Sequence, residues 1–126
     1  MAADDRSQLG LHGEQVAARF LQDRGHQILA SRFRTRIGEL DLVTRSGGHI
    51  YFVEVKTRRT NESSSHYGGA LEAVDHRKQR RITRLAELFI DRHELWDLTP
   101  HFAVIGIEQH HNNASVRFLP DAFDAS

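Results

Sequence analysis

The sequence contains no cysteine. That absence excludes disulfides and thiolate metal sites, and it fits a cytoplasmic protein. No apolar run approaches the ~20 residues needed to cross a bilayer, so no membrane partner is expected. The opening residues, MAADDRSQLG, lack the apolar stretch of a secretory signal. Internal repeats and low-complexity tracts are also missing. Net charge is absent too, since 17 Lys and Arg balance 17 Asp and Glu. Taken alone, that balance argues against a polyanionic partner.

The balance conceals an asymmetry. Between Arg32 and Arg84, twelve Lys and Arg stand against six acids. The resulting central excess is compensated by acidic termini. Such an excess can support a phosphate-binding face, although charge alone fits a solvated surface equally well. A length of 126 residues with 39% hydrophobic and 27% charged content fits one domain, residues 1–126, around a single core.

Periodicity places the elements. Ser7 can cap a helix to about Arg24, with Leu9, Val16, Ala17, Phe20 and Leu21 near helical spacing and Gly25 as its stop. Gly13 is a local cost within it. Strands are expected over His26–Arg34, Gly38–Arg45 and Ile50–Arg58. The segment from Arg59 to Gly69 reads as a polar loop, and Ala70–Val74 as one helical turn. Asp75 can cap a helix to about His93 with Ile82, Leu85, Ala86 and Phe89 on one face. Pro100 ends the following connection. His101–Glu108 and Ser115–Leu119 complete the strands. The order α-βββ-α-ββ implies an α/β fold, a mixed sheet covered by helices.

The pair Gly47-Gly48 suits a two-residue hairpin turn, because both glycines tolerate positive φ. Ser46 then pairs with His49, Asp41 faces Glu54, and Glu39 faces Lys56. Period-two alternation puts these four side chains on one face, with Val43 and Phe52 beside the acids. On the other face Leu40 meets Val55 and Leu42 meets Val53.

Opposed carboxylates repel, and a hard divalent cation such as Mg²⁺, for which Mn²⁺ can substitute, would reconcile them. Lys56 then lies on the reaction side, beside the water that such an ion activates. An E-x-K triplet in a strand is usually a solvated face. Here Phe52, Val53 and Val55 make the strand look buried, and a buried charge needs a partner. Glu14 reads either as a third acid or as an ordinary surface residue. The nine histidines give no metal-ligand pattern, since the adjacent His110 and His111 point apart. Arg58 and Arg59 follow the site directly. Together with Lys78, Arg80 and Arg81, at the start of the second long helix, they are candidate nucleic-acid contacts.

Gly13-Glu14, then Gly38-Glu39-Leu40-Asp41-Leu42-Val43, then Phe52-Val53-Glu54-Val55-Lys56-Thr57-Arg58-Arg59, then Lys78-Gln79 resemble the YraN family of bacterial proteins. That family has a restriction-endonuclease-like PD-(D/E)XK fold and is related to archaeal Holliday junction resolvases. The resemblance spans about Gly10 to Phe123. It implies an αβββαβ core, with Asp41, Glu54 and Glu14 as metal ligands and catalytic acids and Lys56 as the catalytic lysine. Glu39 would be a supporting residue. One departure lies in the fourth strand, where Arg and Asp usually flank the phenylalanine and this chain has His101-Phe102-Ala103. The expected activity is Mg²⁺-dependent hydrolysis of phosphodiester bonds in DNA, including branched or structured DNA. The alternative is a nucleic-acid-binding module with this fold and little or no catalysis. A homodimer is left open.

Overall fold

The computed structural model describes residues 5–59 and 74–125, with side chains described from His12 onward. The polar loop expected from Arg59 to Gly69 and the helical turn expected at Ala70–Val74 therefore fall almost wholly outside the described residues.

Seven elements follow in chain order: α1 (Asp5–Asp23), β1 (Gln27–Thr35), β2 (Gly38–Ser46), β3 (His49–Arg59), α2 (His76–His93), β4 (Thr99–Gln109) and β5 (Ala114–Phe123). The strands form one mixed sheet in the order β1-β2-β3-β4-β5. All neighbours are antiparallel except β3 and β4, which are parallel. This is an α/β architecture compatible with a restriction-endonuclease-like core.

Two hydrophobic clusters sit on opposite faces of the sheet. The α2 side buries Ile82, Leu85, Ala86 and Phe89 against Val43, Ile50, Phe52, Phe102 and Val104. The α1 side buries Ala17 and Leu21 against Leu42, Val53, Ala103, Ile105 and Ile107. Alternation along β2, β3 and β4 feeds both clusters from the same strands, as a sheet covered on both faces requires. Full burial of each large apolar side chain, such as Phe52 or Phe89, contributes about 1.5–3 kcal/mol.

The α2 helix begins where its cap directs. The Asp75 carboxylate accepts the Lys78 backbone N–H at 2.8 Å, and the helix runs to His93. Its apolar positions fall at i, i+3, i+4 and i+7, one face of a helix. The α1 helix starts at Asp5, so Ser7 lies inside it and is not its cap.

The hairpin register is as expected, from Ser46 opposite His49 to Leu42 opposite Val53. Gly47 takes φ 60° while Gly48 stays out of the left-handed region. One positive φ at the first central position is the type II′ requirement, so the turn needs left-handed backbone at only one glycine. Pro100 does not end a connection. It is the second residue of β4, at a level where β4 pairs only with β3. Near a strand start and without a partner on its second side, a residue lacking an N–H costs little. The last strand runs four residues past Leu119. It crosses Pro120 through an irregularity between the Val104–Leu119 and Phe102–Phe123 pairs, as an edge strand allows.

Candidate active site

The site forms where the β2–β3 ladder stops. Continued pairing would set Leu40 against Val55 and give the Val55 N–H to a β2 carbonyl. The ladder instead ends at Leu42–Val53, and the Asp41 carboxylate accepts the Val55 N–H at 2.8 Å. A side chain has replaced a main-chain acceptor, and the strands part around it.

The parting changes which face β2 presents. Leu40 packs with Val43 in the α2-side cluster, while Leu42 and Val55 belong to the α1-side cluster. The expected meeting of Leu40 with Val55 on the Leu42 face is therefore wrong. Its cause lies next door in β1. Arg32 has φ 54° inside a strand, between the Ser31–Leu42 and Phe33–Leu40 pairs. A left-handed residue at that level breaks the two-residue alternation, so Phe33 and Leu40 both turn toward α2. Nothing in the sequence signals this, because arginine is not a residue that favours such backbone.

Asp41, Glu54 and Lys56 come together here. Asp41 is mostly buried and lies against the Glu54 side chain. Burial first, and then the Glu54 charge, push its carboxyl up to about 7, with a smaller push from Glu14 and an opposing pull from the Val55 N–H. The Glu54 side chain is 12% exposed and holds two lysines on one oxygen: Lys78 Nζ at 2.5 Å and Lys56 Nζ at 4.0 Å. Glu14, on α1, accepts from Arg32 Nε at 2.8 Å. It acts on Asp41 through its charge.

Three sequence expectations are corrected in detail. Glu39 does not face Lys56 but accepts from Arg34 Nε at 2.5 Å, its neighbour across β1. Lys56 leans to Glu54, on its own strand. Lys78, expected to contact only nucleic acid, is the nearest cation to Glu54; the two side chains belong to elements far apart in sequence, so no local pattern announced the pairing.

The remaining basic residues divide by exposure. Arg58 Nε lies 3.1 Å from the Glu108 carboxylate, whose side chain is only 4% exposed. Arg59 is exposed at the end of β3, and Arg80 and Arg81 are exposed on the first turns of α2. Away from the site, Asp121, His101 and His49 form a hydrogen-bonded row across the far ends of β5, β4 and β3, at 2.6 and 2.8 Å. That row was not anticipated from the sequence.

Among the described residues, no group of three or more His, Asp or Glu side chains is placed to hold a metal ion. A smaller donor set does fit one. Two neighbouring carboxyls, one of them pushed up to about 7 by burial and by the other's charge, would be relieved by a hard divalent cation. Asp41 and Glu54 are the residues that would hold it.

Comparison with known proteins places the chain in a family. A "UPF0102 protein" of Syntrophotalea carbinolica is 43% identical over 119 residues, 94% of each chain. Another, from Halorhodospira halophila, is 39% identical over 95% of this chain and 90% of its own. A third, from Pseudomonas syringae pv. syringae, is 38% identical over 99% of this chain and all of its own. The model of the uncharacterised protein family UPF0102 matches residues 13–107, a span that holds Glu14, Asp41, Glu54, Lys56 and Lys78. With most of its length matched and these relatives aligned nearly end to end, the chain belongs to the UPF0102 family, the YraN family of the motif resemblance.

Proposed function

We propose that the protein is a metal-dependent nuclease of the PD-(D/E)XK type, hydrolysing phosphodiester bonds in DNA, with branched or structured DNA among its substrates. The observation that carries this reading is the Asp41–Glu54 carboxyl pair at a splayed hairpin, with Lys56 on the same oxygen of Glu54. A sheet does not assemble two buried acids for stability, because burying charge is costly. The arrangement makes sense when a cation and an anionic substrate complete it.

Asp41 and Glu54, with Glu14 as the third acid, would hold Mg²⁺ or Mn²⁺. The ion, when bound, would polarise the phosphate and make water a better nucleophile. The protein's own residues then have separable tasks. The Val55 N–H fixes one oxygen of Asp41 and so sets the direction of the other. Lys56 directs its ammonium to the reaction side, where it orients the attacking water and offsets charge on the phosphate as the P–O bond to the leaving oxygen breaks. That contribution is largest in the transition state, so it lowers the barrier more than it raises ground-state affinity. Arg59, Arg80 and Arg81 are exposed cations at the sheet end and helix start that suit flanking phosphates.

The decisive measurement is a cleavage panel of single-stranded, duplex, flap and four-way DNA with Mg²⁺ and Mn²⁺. Cleavage of at least one substrate is expected, together with its loss in Lys56→Met while fold and DNA binding persist. Methionine keeps most of the aliphatic stem, so packing should change little. Inertness of the unaltered protein toward every nucleic acid would leave the second reading, a nucleic-acid-binding module. That reading is favoured by one feature, the internal pairing of Glu54 with Lys78.

A further inference from the structure

Two of the three acids of the site are already matched by cations of the chain itself. Glu14 holds Arg32 at 2.8 Å, and Glu54 holds Lys78 at 2.5 Å. We propose that Lys78 is an internal latch: it occupies the cation position on Glu54, must leave when a divalent ion arrives, and then becomes a phosphate contact. This rests on the metal-dependent reading above and adds a regulation of that same site.

The geometry supports a side chain built to move. The Lys78 backbone is fixed, because its N–H is donated to the Asp75 cap at 2.8 Å. Its neighbour Gln79 is pinned as well, by an Nε2–H donated to the Val74 carbonyl at 2.8 Å. Freedom is thus confined to the four-carbon stem, a flexible carrier of a compact charge. The Lys78 side chain is 35% exposed against 12% for Glu54. The ammonium therefore has a way out to solvent that the carboxylate lacks. This oxygen already has Lys78 at 2.5 Å and Lys56 at 4.0 Å, and a divalent ion brought to the same carboxylate repels the nearer ammonium strongly in a partly buried setting.

Displacement has a thermodynamic consequence. The ion pays to expel Lys78, and an anionic substrate regains part of that cost by receiving it. Metal and polyanion should then bind with positive coupling, and linkage makes the effect reciprocal. Arg32 on Glu14 is placed to behave in the same sense, but Lys78 is the closer pair and the cleaner test.

The test uses the full chain, Ca²⁺ alone in calorimetry, and a fluorescent duplex in anisotropy with and without Ca²⁺. Lys78→Met and the polar Lys78→Gln are compared with the unaltered protein, each checked for fold by circular dichroism. Both variants should bind Ca²⁺ more tightly, by roughly fivefold or more, and should lose most of the gain in duplex affinity that Ca²⁺ brings. Equal or weaker Ca²⁺ binding by folded variants would overturn the latch and leave the nuclease reading standing. An absence of Ca²⁺ and Mg²⁺ binding in every protein would overturn both. A variant that binds Ca²⁺ more tightly yet keeps the full duplex gain would remove the phosphate role of Lys78.

Discussion

At the scale of single residues, Asp41 carries the clearest conflict between stability and chemistry. Its carboxyl, ordinarily near 3.8, is pushed up to about 7 by burial and by Glu54. The folded chain therefore keeps a proton that the unfolded chain releases between about pH 4 and about pH 7. Fewer protons on the unfolded state mean that stability falls as pH rises through this window and levels off above it. At ~1.4 kcal/mol per pKa unit the cost above that window is on the order of a few kcal/mol. Asparagine can accept the same Val55 N–H without the charge. Asp41→Asn should thus melt higher than the unaltered protein at about pH 8, by roughly 5 °C or more. The two curves should converge near pH 4. Thermal melts across that range check it, and a lower melting temperature for the variant at pH 8 would mean that the Asp41 charge is stabilising after all.

At the scale of elements, α1 comes very close to the sheet at Gly13. A Cβ placed on Gly13 would lie 2.0 Å from Thr57 Oγ1 and 2.9 Å from its Cγ2. The glycine that looks like a defect in the helix is the residue that lets α1 approach β3, and Glu14, the next residue, is delivered by that approach. Gly13→Ala should destabilise by about 1–3 kcal/mol through overpacking, outweighing the ~1 kcal/mol gain in helix propensity. Thr57→Ala in the same chain removes both γ atoms and should recover more than half of the loss. Urea unfolding of the four members of this cycle reads the coupling, and simple additivity of the two changes would dispose of the contact. The same scale shows what a sequence discloses. The α2 cap at Asp75, its apolar stripe and the hairpin register were legible because each is set by residues within a few positions of one another. The turned face of Leu40, the left-handed Arg32 and the Lys78–Glu54 pair were not, because each depends on strands or helices brought together by the fold. The carboxyl pair itself was legible because one turn fixes the register as far as Leu42–Val53, and Asp41 and Glu54 are the next residues on the two strands.

At the scale of the whole molecule, the sheet combines two kinds of connection. β1, β2 and β3 form a continuous meander from Gln27 to Arg59, whereas β4 joins in parallel only after the excursion that contains α2. Loop closure makes the first cheap and the second slow. The meander is therefore expected to organise the folding nucleus, with β4 docking afterwards. Val43→Ala should slow refolding, while Val104→Ala should act mainly by hastening unfolding. Stopped-flow chevrons distinguish these, and an unchanged refolding rate for Val43→Ala would place the nucleus elsewhere. The order of assembly bears on the carboxyl pair. Asp41, Glu54 and Lys56 all lie on the segment that forms first, and Lys78 arrives with the part that forms later. The nascent hairpin thus carries two acids with only one of their two lysines, and the docking of α2 is the event that quiets them.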